Sequence, residues 1–278
     1  RKRKNITITR INGRITKKTH QRWMLISKFK KKIFNKLDLC LPSSKESENY
    51  LKNLNVKNSK YIGNIKFSGK IEEYTLVDKN LEVLKDKYLW CAASTHKGEE
   101  LICLRTHINL KKIHKNLITV IIPRHISRSI DVSRLCKKHN LAYQILNDKD
   151  FKKVEKEIII VNSFGNLFKF YKYCRSVFIG KSMLKNLHKV SGQNPIEAAK
   201  LGCKIYHGPY VYNFKEIYDL LKDYKISEQI YNDEELSKKI SKDFNEIKSD
   251  QHKIIEKIDN LGQKILNETV KEIDKFLI

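Results

Sequence analysis

Two near-continuous apolar runs, residues 118–122 and 158–161, constrain this chain more than any other feature. Strands buried on both faces by helices have this composition. The runs stand in a regular alternation. Strands are expected over 88–93, 117–123, 142–146, 157–161, 176–180 and 204–207. Helices are expected over 97–114, 129–139, 166–174, 195–201 and 214–225. Such an order predicts an α/β fold with a doubly wound parallel sheet. Two further helices follow over 233–244 and 250–277. In the last, Ile254, Ile258, Leu261, Ile265, Val270, Ile273 and Leu277 recur at helical spacing and read as a packing stripe rather than a heptad seam.

Upstream of the alternation, residues 5–11 read as a strand and 17–34 as one helix. That helix has a very basic exposed face, with Trp23, Leu25, Ile26, Phe29 and Ile33 available for packing. A short strand over 37–41, a helix from 42–44 to about 54 and a strand end at 61–64 follow. Residues 67–78 read as a linker.

At 278 residues the chain is long enough for one large or two ordinary domains, and 40% apolar residues suffice for a core. No run of about 20 apolar residues is present, so the sequence offers no transmembrane helix. A net charge of +26 suits nucleic acid, an anionic membrane surface or a phosphorylated substrate. Only 10 of the 57 basic residues are Arg, which accords with a general bias toward Lys, Ile and Asn. Distribution says more than total: residues 1–36 hold 14 Lys or Arg and no Asp or Glu. The six cysteines are scattered without C-x-x-C spacing. They read as buried free thiols of a reducing compartment, not as a zinc site. The chain opens Arg1-Lys2-Arg3-Lys4, with neither Met nor an apolar signal core, which reads as a fragment.

Several segments that end strands carry candidate chemistry. Ser191-Gly192-Gln193-Asn194-Pro195-Ile196-Glu197 enters a helix, with Asn194 as cap, Pro195 at the first position and Glu197 placed for a capping box. A helix start beside a strand end can hold phosphate and ribose, although the cap rules alone account for every residue. Arg124 follows Pro123 at another strand end, as a phosphate or base contact or as a surface Arg after a turn. Asn162-Ser163-Phe164-Gly165-Asn166 offers a nest for an anion, with Ser163 or Asn162 capping the next helix. Ala92-Ala93-Ser94-Thr95-His96-Lys97-Gly98-Glu99-Glu100 ends the first strand of the alternation. It supplies hydrogen-bonding groups, or ordinary caps at Ser94 or Thr95 and two acids for a first helical turn. Lys66, in Gly63-Asn64-Ile65-Lys66-Phe67, is either a cleft cation for a leaving phosphate or a solvated lysine.

Taken in order, these segments, with Gly208-Pro209-Tyr210-Val211-Tyr212-Asn213-Phe214, resemble the 3-deoxy-D-manno-octulosonic acid (Kdo) transferases of lipid A synthesis. The similarity spans residues 63–214, and Ile11-Asn12-Gly13-Arg14-Ile15-Thr16 looks like a diverged form of the family's Asn-Ala-Arg-Leu-Ser segment. The resemblance implies a GT-B fold. Residues 1–66 would be the remainder of a Rossmann-like acceptor domain. Residues 67–278 would be a Rossmann-like nucleotide-sugar domain whose last helix returns to the N-terminal half. It implies CMP-Kdo as donor, with inverting transfer to a lipid A precursor, lipid IVA. No cofactor or metal is implied, and the place of action would be the cytoplasmic face of the bacterial inner membrane, against anionic lipid. Pro123 and Arg124 would contact CMP. Phe164, Gly165 and Asn166 would occupy the family's Met-Gly-Glu loop, where only Gly165 is identical. Asn194, Pro195, Ile196 and Glu197 would hold phosphate and ribose. Lys66 would stabilise the departing CMP phosphate. Ser191-Gly192-Gln193 stands where the family has Gly-Gly-His. The family's Gly-Glu-Val segment, with its general base, and its Glu-Thr-Glu-Leu-Trp-Pro segment have no counterpart here. The rivals are a GT-B enzyme using a UDP-sugar, a basic nucleic-acid-binding module and an inactive homologue. The second lacks any nucleic-acid motif or basic-aromatic platform.

Overall fold

The computed structural model describes residues 6–71, 79–147, 154–163, 165, 167–245 and 249–276. The chain forms two compact units, residues 71–257 and residues 1–70 joined by 258–278. In the smaller unit, β1 (Thr9–Gly13) pairs in parallel with a strand reached through two helices, α1 (Lys17–Met24) and α2 (Ser27–Phe34). That partner, β2 (Leu39–Pro42), leads into α3 (Lys45–Asn53). Thr16 caps α1 and Ser44 caps α3, each accepting the N–H three residues on.

The helix expected over 17–34 is two helices. The chain leaves helical geometry at Ile26 (φ −113°, ψ 63°). The break lets Trp23 and Phe34 meet edge to face, 5.2 Å between centroids, in a core with Cys40, Leu51, Leu54 and Val56. Leu25, Ile26, Phe29 and Ile33, expected to pack, are exposed instead.

In the larger unit the runs become strands in sequence: β3 (Tyr88–Thr95), α4 (Glu99–Lys111), β4 (Leu117–Pro123), α5 (Ser129–Lys138), β5 (Tyr143–Asn147), β6 (Ile158–Asn162), α6 (Leu167–Tyr171), β7 (Ser176–Ile179), α7 (Ile196–Lys200), β8 (Lys204–His207), α8 (Lys215–Asp223), β9 (Ser227–Gln229), α9 (Asp233–Phe244) and α10 (Ser249–Asp274). The order across the sheet is β5-β6-β4-β3-β7-β8-β9, and every pairing is parallel. β4 is buried at all seven residues, as its composition requires. β9 was not foreseen: its three residues are polar at an edge, and the flanking Ile226 and Ile230 do the packing.

From Ile258 onward α10 belongs to the smaller unit. There Ile265 packs on Gly63, where a Cβ would lie 2.7 Å from the isoleucine side chain, and Glu272 pairs with Lys60 at 2.6 Å. Gly63 holds φ +138°, so both its backbone and its packing select glycine. Residues 61–64 form no strand. Asn64 Oδ1 instead accepts the Lys66 N–H at 3.1 Å and starts the 3₁₀ turn Ile65–Phe67. Of the expected linker, residues 72–78 lie outside the described residues.

Thr119, the polar residue within the run of β4, is matched by a buried partner. His107 Nδ1 on α4 lies 2.8 Å from its Oγ1, and His107 Nε2 lies 3.7 Å from Glu157. Burial lowers the His107 pKa to about 4, against the pull of Glu157. The unfolded chain binds this proton near pH 6.5, so stability falls as pH drops from about 6.5 toward 4. A single group shifted this far contributes at most about 3 kcal/mol. Urea midpoints measured from pH 7 to pH 4.5 are expected to fall, and His107→Gln to flatten that dependence. An unchanged slope in the variant would refute the assignment.

Candidate functional site

The strand order reverses between β3 and β7: the chain builds outward from β3 through β4, then returns to the other side of β3 at β7. The crevice beyond the carboxyl ends at such a point is where open α/β sheets bind ligands. Here a buried carboxylate ties its two sides together. Glu99, the first residue of α4, is fully buried. It accepts the N–H groups of Lys181, Ser182 and Met183 after β7, at 2.7, 2.9 and 3.0 Å, and that of His96 after β3 at 2.9 Å. Charge-assisted bonds of this kind are about twice as strong as neutral ones.

Glu100 beside it is equally buried. Thr95 Oγ1, Gly98 N–H and the Arg128 guanidinium all donate to it, the last at 3.0 Å. Burial pushes the Glu100 carboxyl up and Arg128 pulls it back, and every partner is a donor, so it acts as a carboxylate. The pair Glu99-Glu100 was expected only as favourable charge in a first helical turn, and its burial was missed. The signal was available: two adjacent acids flanking a strand end rich in small residues. Gly98, not Ser94 or Thr95, precedes the helix, without a side-chain cap.

Two backbone features tighten the crossing. Ser94 adopts φ +57° where β3 slips register against β4, between Ala93 and Thr95. Gly180 sits so close that a Cβ would lie 2.6 Å from Ser94 O and 2.9 Å from Glu99. Only glycine fits there.

The residues expected to hold a nucleotide follow neighbouring strands. Pro123 ends β4 and is buried. Arg124 is exposed, and its N–H donates to Thr95 O at 3.0 Å, which fixes its backbone to the β3 end. His96 and His125 approach edge to face, 6.0 Å between centroids. Burial lowers the His96 pKa, offset in part by its bond to Ser94 O. Beyond β6, Gly165 is exposed at φ +79° with open space where a Cβ would stand. Phe164 and Asn166 lie outside the described residues. Asn162, expected as one of two caps, bonds to a neighbouring strand and helix. Its side chain donates to Asn147 Oδ1 and accepts from Ser129 Oγ, locking the ends of β5 and β6 to α5.

Beyond β7, Asn194 Oδ1 accepts the Ile196 N–H at 3.3 Å. Pro195 stands before the helix, not in it, since α7 begins at Ile196. Pro195 and Ile196 are buried, while Asn194 and Glu197 are partly exposed. The expected helix over 195–201 is therefore a short one, entered through a side-chain bond two residues on. Pro123-Arg124, Gly165 and Asn194–Glu197 thus all lie at the carboxyl edge of one sheet. Lys66 is exposed and stands in the smaller unit.

A solved structure described as the C-terminal CMP-Kdo binding domain of WaaA from Acinetobacter baumannii superposes with a TM-score of 0.55 and 21% identity. The match covers 66% of this chain and 91% of that one. Anabaena Alr3699/HepE in complex with UDP matches over 97% of this chain and 72% of its own, with a TM-score of 0.56 and 7% identity. The likeness defines an α/β protein with a GT-B-type fold. More narrowly, the chain is similar in sequence to proteins named 3-deoxy-D-manno-octulosonic acid transferases. Residues 1–69 match the family model for 3-Deoxy-D-manno-octulosonic-acid transferase (kdotransferase). A 3-deoxy-D-manno-octulosonic acid transferase of Rickettsia felis is 27% identical over 277 residues, 96% of this chain and 58% of its own length. That of Haemophilus influenzae is 26% identical over 223 residues, 78% of this chain and 51% of its own length. The chain thus spans little more than half the length of these relatives.

Glu99→Gln is expected to turn an amide N–H₂ toward backbone donors and cost about 3 kcal/mol, the scale of breaking a buried charge network. Gly180→Ala should cost a similar amount through overpacking, about 1–3 kcal/mol. Denaturant titration of both variants checks this. Either one unfolding at the parent midpoint would show that the crossing is not tied as described.

Proposed function

We propose that this protein transfers Kdo from CMP-Kdo to a hydroxyl of a lipid A precursor such as lipid IVA, with inversion and without a metal. The observation that carries this reading is the homology to proteins named Kdo transferases, at 26–27% identity over 78–96% of the chain. The position of the candidate donor residues at the carboxyl edge of one parallel sheet supports it.

In this reading Arg124 binds the CMP moiety beside Pro123, Gly165 lets backbone N–H groups approach it, and Asn194–Glu197 hold phosphate and ribose, with Glu197 accepting a hydroxyl. Phe164 and Asn166, which flank Gly165 in sequence, are proposed to contact CMP with it. The acceptor oxygen attacks the anomeric carbon as the bond to the CMP phosphate breaks. Its proton passes to a general base, and Lys66 stabilises the charge gathering on the departing phosphate. No carboxylate of these 278 residues is assigned as that base.

The smaller unit supports an anionic membrane as a partner. Leu25, 86% exposed, and Ile26, about half exposed, join two helices that lack any acidic residue, and Phe29, also about half exposed, stands on the second of them. Apolar side chains among cations suit the headgroup boundary of anionic lipid. Among the described residues no helix is long and apolar enough to cross a membrane.

Calorimetric titration is expected to show CMP binding more tightly than UDP, and Arg124→Ala to weaken CMP roughly tenfold, the scale of one charge-assisted bond. Preference for UDP would overturn the donor assignment. In flotation with vesicles, phosphatidylglycerol should retain the protein and phosphatidylcholine should not. A Leu25→Glu, Phe29→Glu double variant should be released, and unchanged retention would refute the membrane surface.

A further inference from the structure

The amino edge of the seven-stranded sheet carries a cleft of about 760 Å³, at the opposite ends of the strands from Arg124 and Gly165. It opens where three adjacent strands begin. Tyr88 starts β3, Asn116 precedes β4, and Arg175 precedes β7. Along the eight residues of β3 the two edges stand about 26 Å apart. The cleft is therefore separate from the crevice beyond the carboxyl ends.

Cations dominate its lining. Lys85, Lys87, Lys172 and Arg175 stand against a single acid, Asp86. They come from two segments, one entering β3 and one between α6 and β7. Lys85 is paired with Glu82 at 3.0 Å. Lys87 and Lys172 pair with no acid among the described residues. Arg175 is fixed by the fold: its Nη1 donates to Asp243 O and Phe244 O, each at 3.2 Å, at the end of α9. A guanidinium already held in one orientation loses little freedom on meeting phosphate oxygens. Like charges gathered in one concavity raise its potential and draw in anions.

The walls narrow the choice of anion. A lone carboxylate would engage one of these cations and leave the others unpaired. A chain of linked phosphates presents charge at intervals and engages several at once. Tyr88 is 40% exposed and braced by His114 and Phe244, at 4.6 and 5.2 Å between centroids. The volume lies within the range of small-molecule sites.

We propose that this cleft binds a polyphosphate chain, either free or carried by a nucleotide. Lys87, Lys172 and Arg175 hold the phosphates, and the Tyr88 ring offers a nucleotide base a surface to stack on. The site stands apart from the donor assignment, and a polyphosphate and CMP bind together.

The test is calorimetric titration of the full chain at about 0.15 M salt, where the Debye length is about 8 Å and distant surface charges are screened. Tripolyphosphate is expected to bind with the same affinity in the presence and absence of CMP. ATP, titrated with CMP present, is expected to bind as well. A Lys87→Ala, Lys172→Ala double variant should weaken both about tenfold, the scale of two partly exposed ion pairs, and leave CMP affinity unchanged. A Lys137→Ala, Lys138→Ala double variant removes the same charge from exposed positions on α5 and should change either affinity by less than about twofold. Tighter binding of ATP than of tripolyphosphate, with the difference lost in Tyr88→Leu, would identify a nucleotide as the source. Equal binding would identify the free chain. Absence of binding by both, displacement of tripolyphosphate by CMP, or equal weakening in the two double variants would overturn the proposal. The last is the mark of general attraction to a net charge of +26.

Discussion

The larger unit depends on one buried carboxylate. Parallel strands that reverse their order leave a gap beyond β3 and β7, and four backbone N–H groups point into it. Such donors, buried without partners, would each cost about as much as a lost hydrogen bond. Glu99 satisfies all of them with two oxygens. Glycine at position 180 is the geometric condition, since any side chain would push Glu99 and the β3 end apart. What reads in sequence as favourable charge in a first helical turn is the fastening on which the neighbouring loops are aligned.

That fastening extends to two of the candidate loops through their backbone. Arg124 is held through its N–H to Thr95, next to the residues Glu99 and Glu100 engage. Gly192 is held through its N–H to Lys181 O at 2.7 Å, adjacent to the N–H groups that Glu99 accepts. Exposed side chains such as Arg124 are then left to solvent or ligand while their backbone is fixed. Preorganisation of this sort lowers the ordering cost of binding.

Much of the fold was legible in the sequence because burial on two faces leaves a plain signature. The boundaries of β4, β8 and α9 agree with those expected from composition. What escaped was decided by tertiary contacts. The break at Ile26 follows from where Trp23 and Phe34 must meet, which local helix propensity does not encode. β9 has polar residues because its neighbours carry the packing. Among candidate site residues, Pro123, Arg124 and Gly165 stand at or just beyond strand ends, and Asn194 stands before α7, as the pattern of turns suggested. The interior role of Glu99 and Glu100 was hidden, because charge in a sequence reads as surface until a cluster of backbone donors is seen facing it.

The thiols carry a consequence of their own. All six cysteines are free and buried, and burial raises the pKa of Cys40 to about 11 and of Cys136 to about 12. A thiolate is the reacting form, so alkylating reagents meet almost none of it in the closed structure. Cys40 lies in the smaller unit and the other five lie in the larger one. The molecule therefore carries its own clock for opening: modification of Cys40 times breathing of one unit, and modification of the rest times the other. The two local stabilities can be read separately on the unlabelled, unmutated chain.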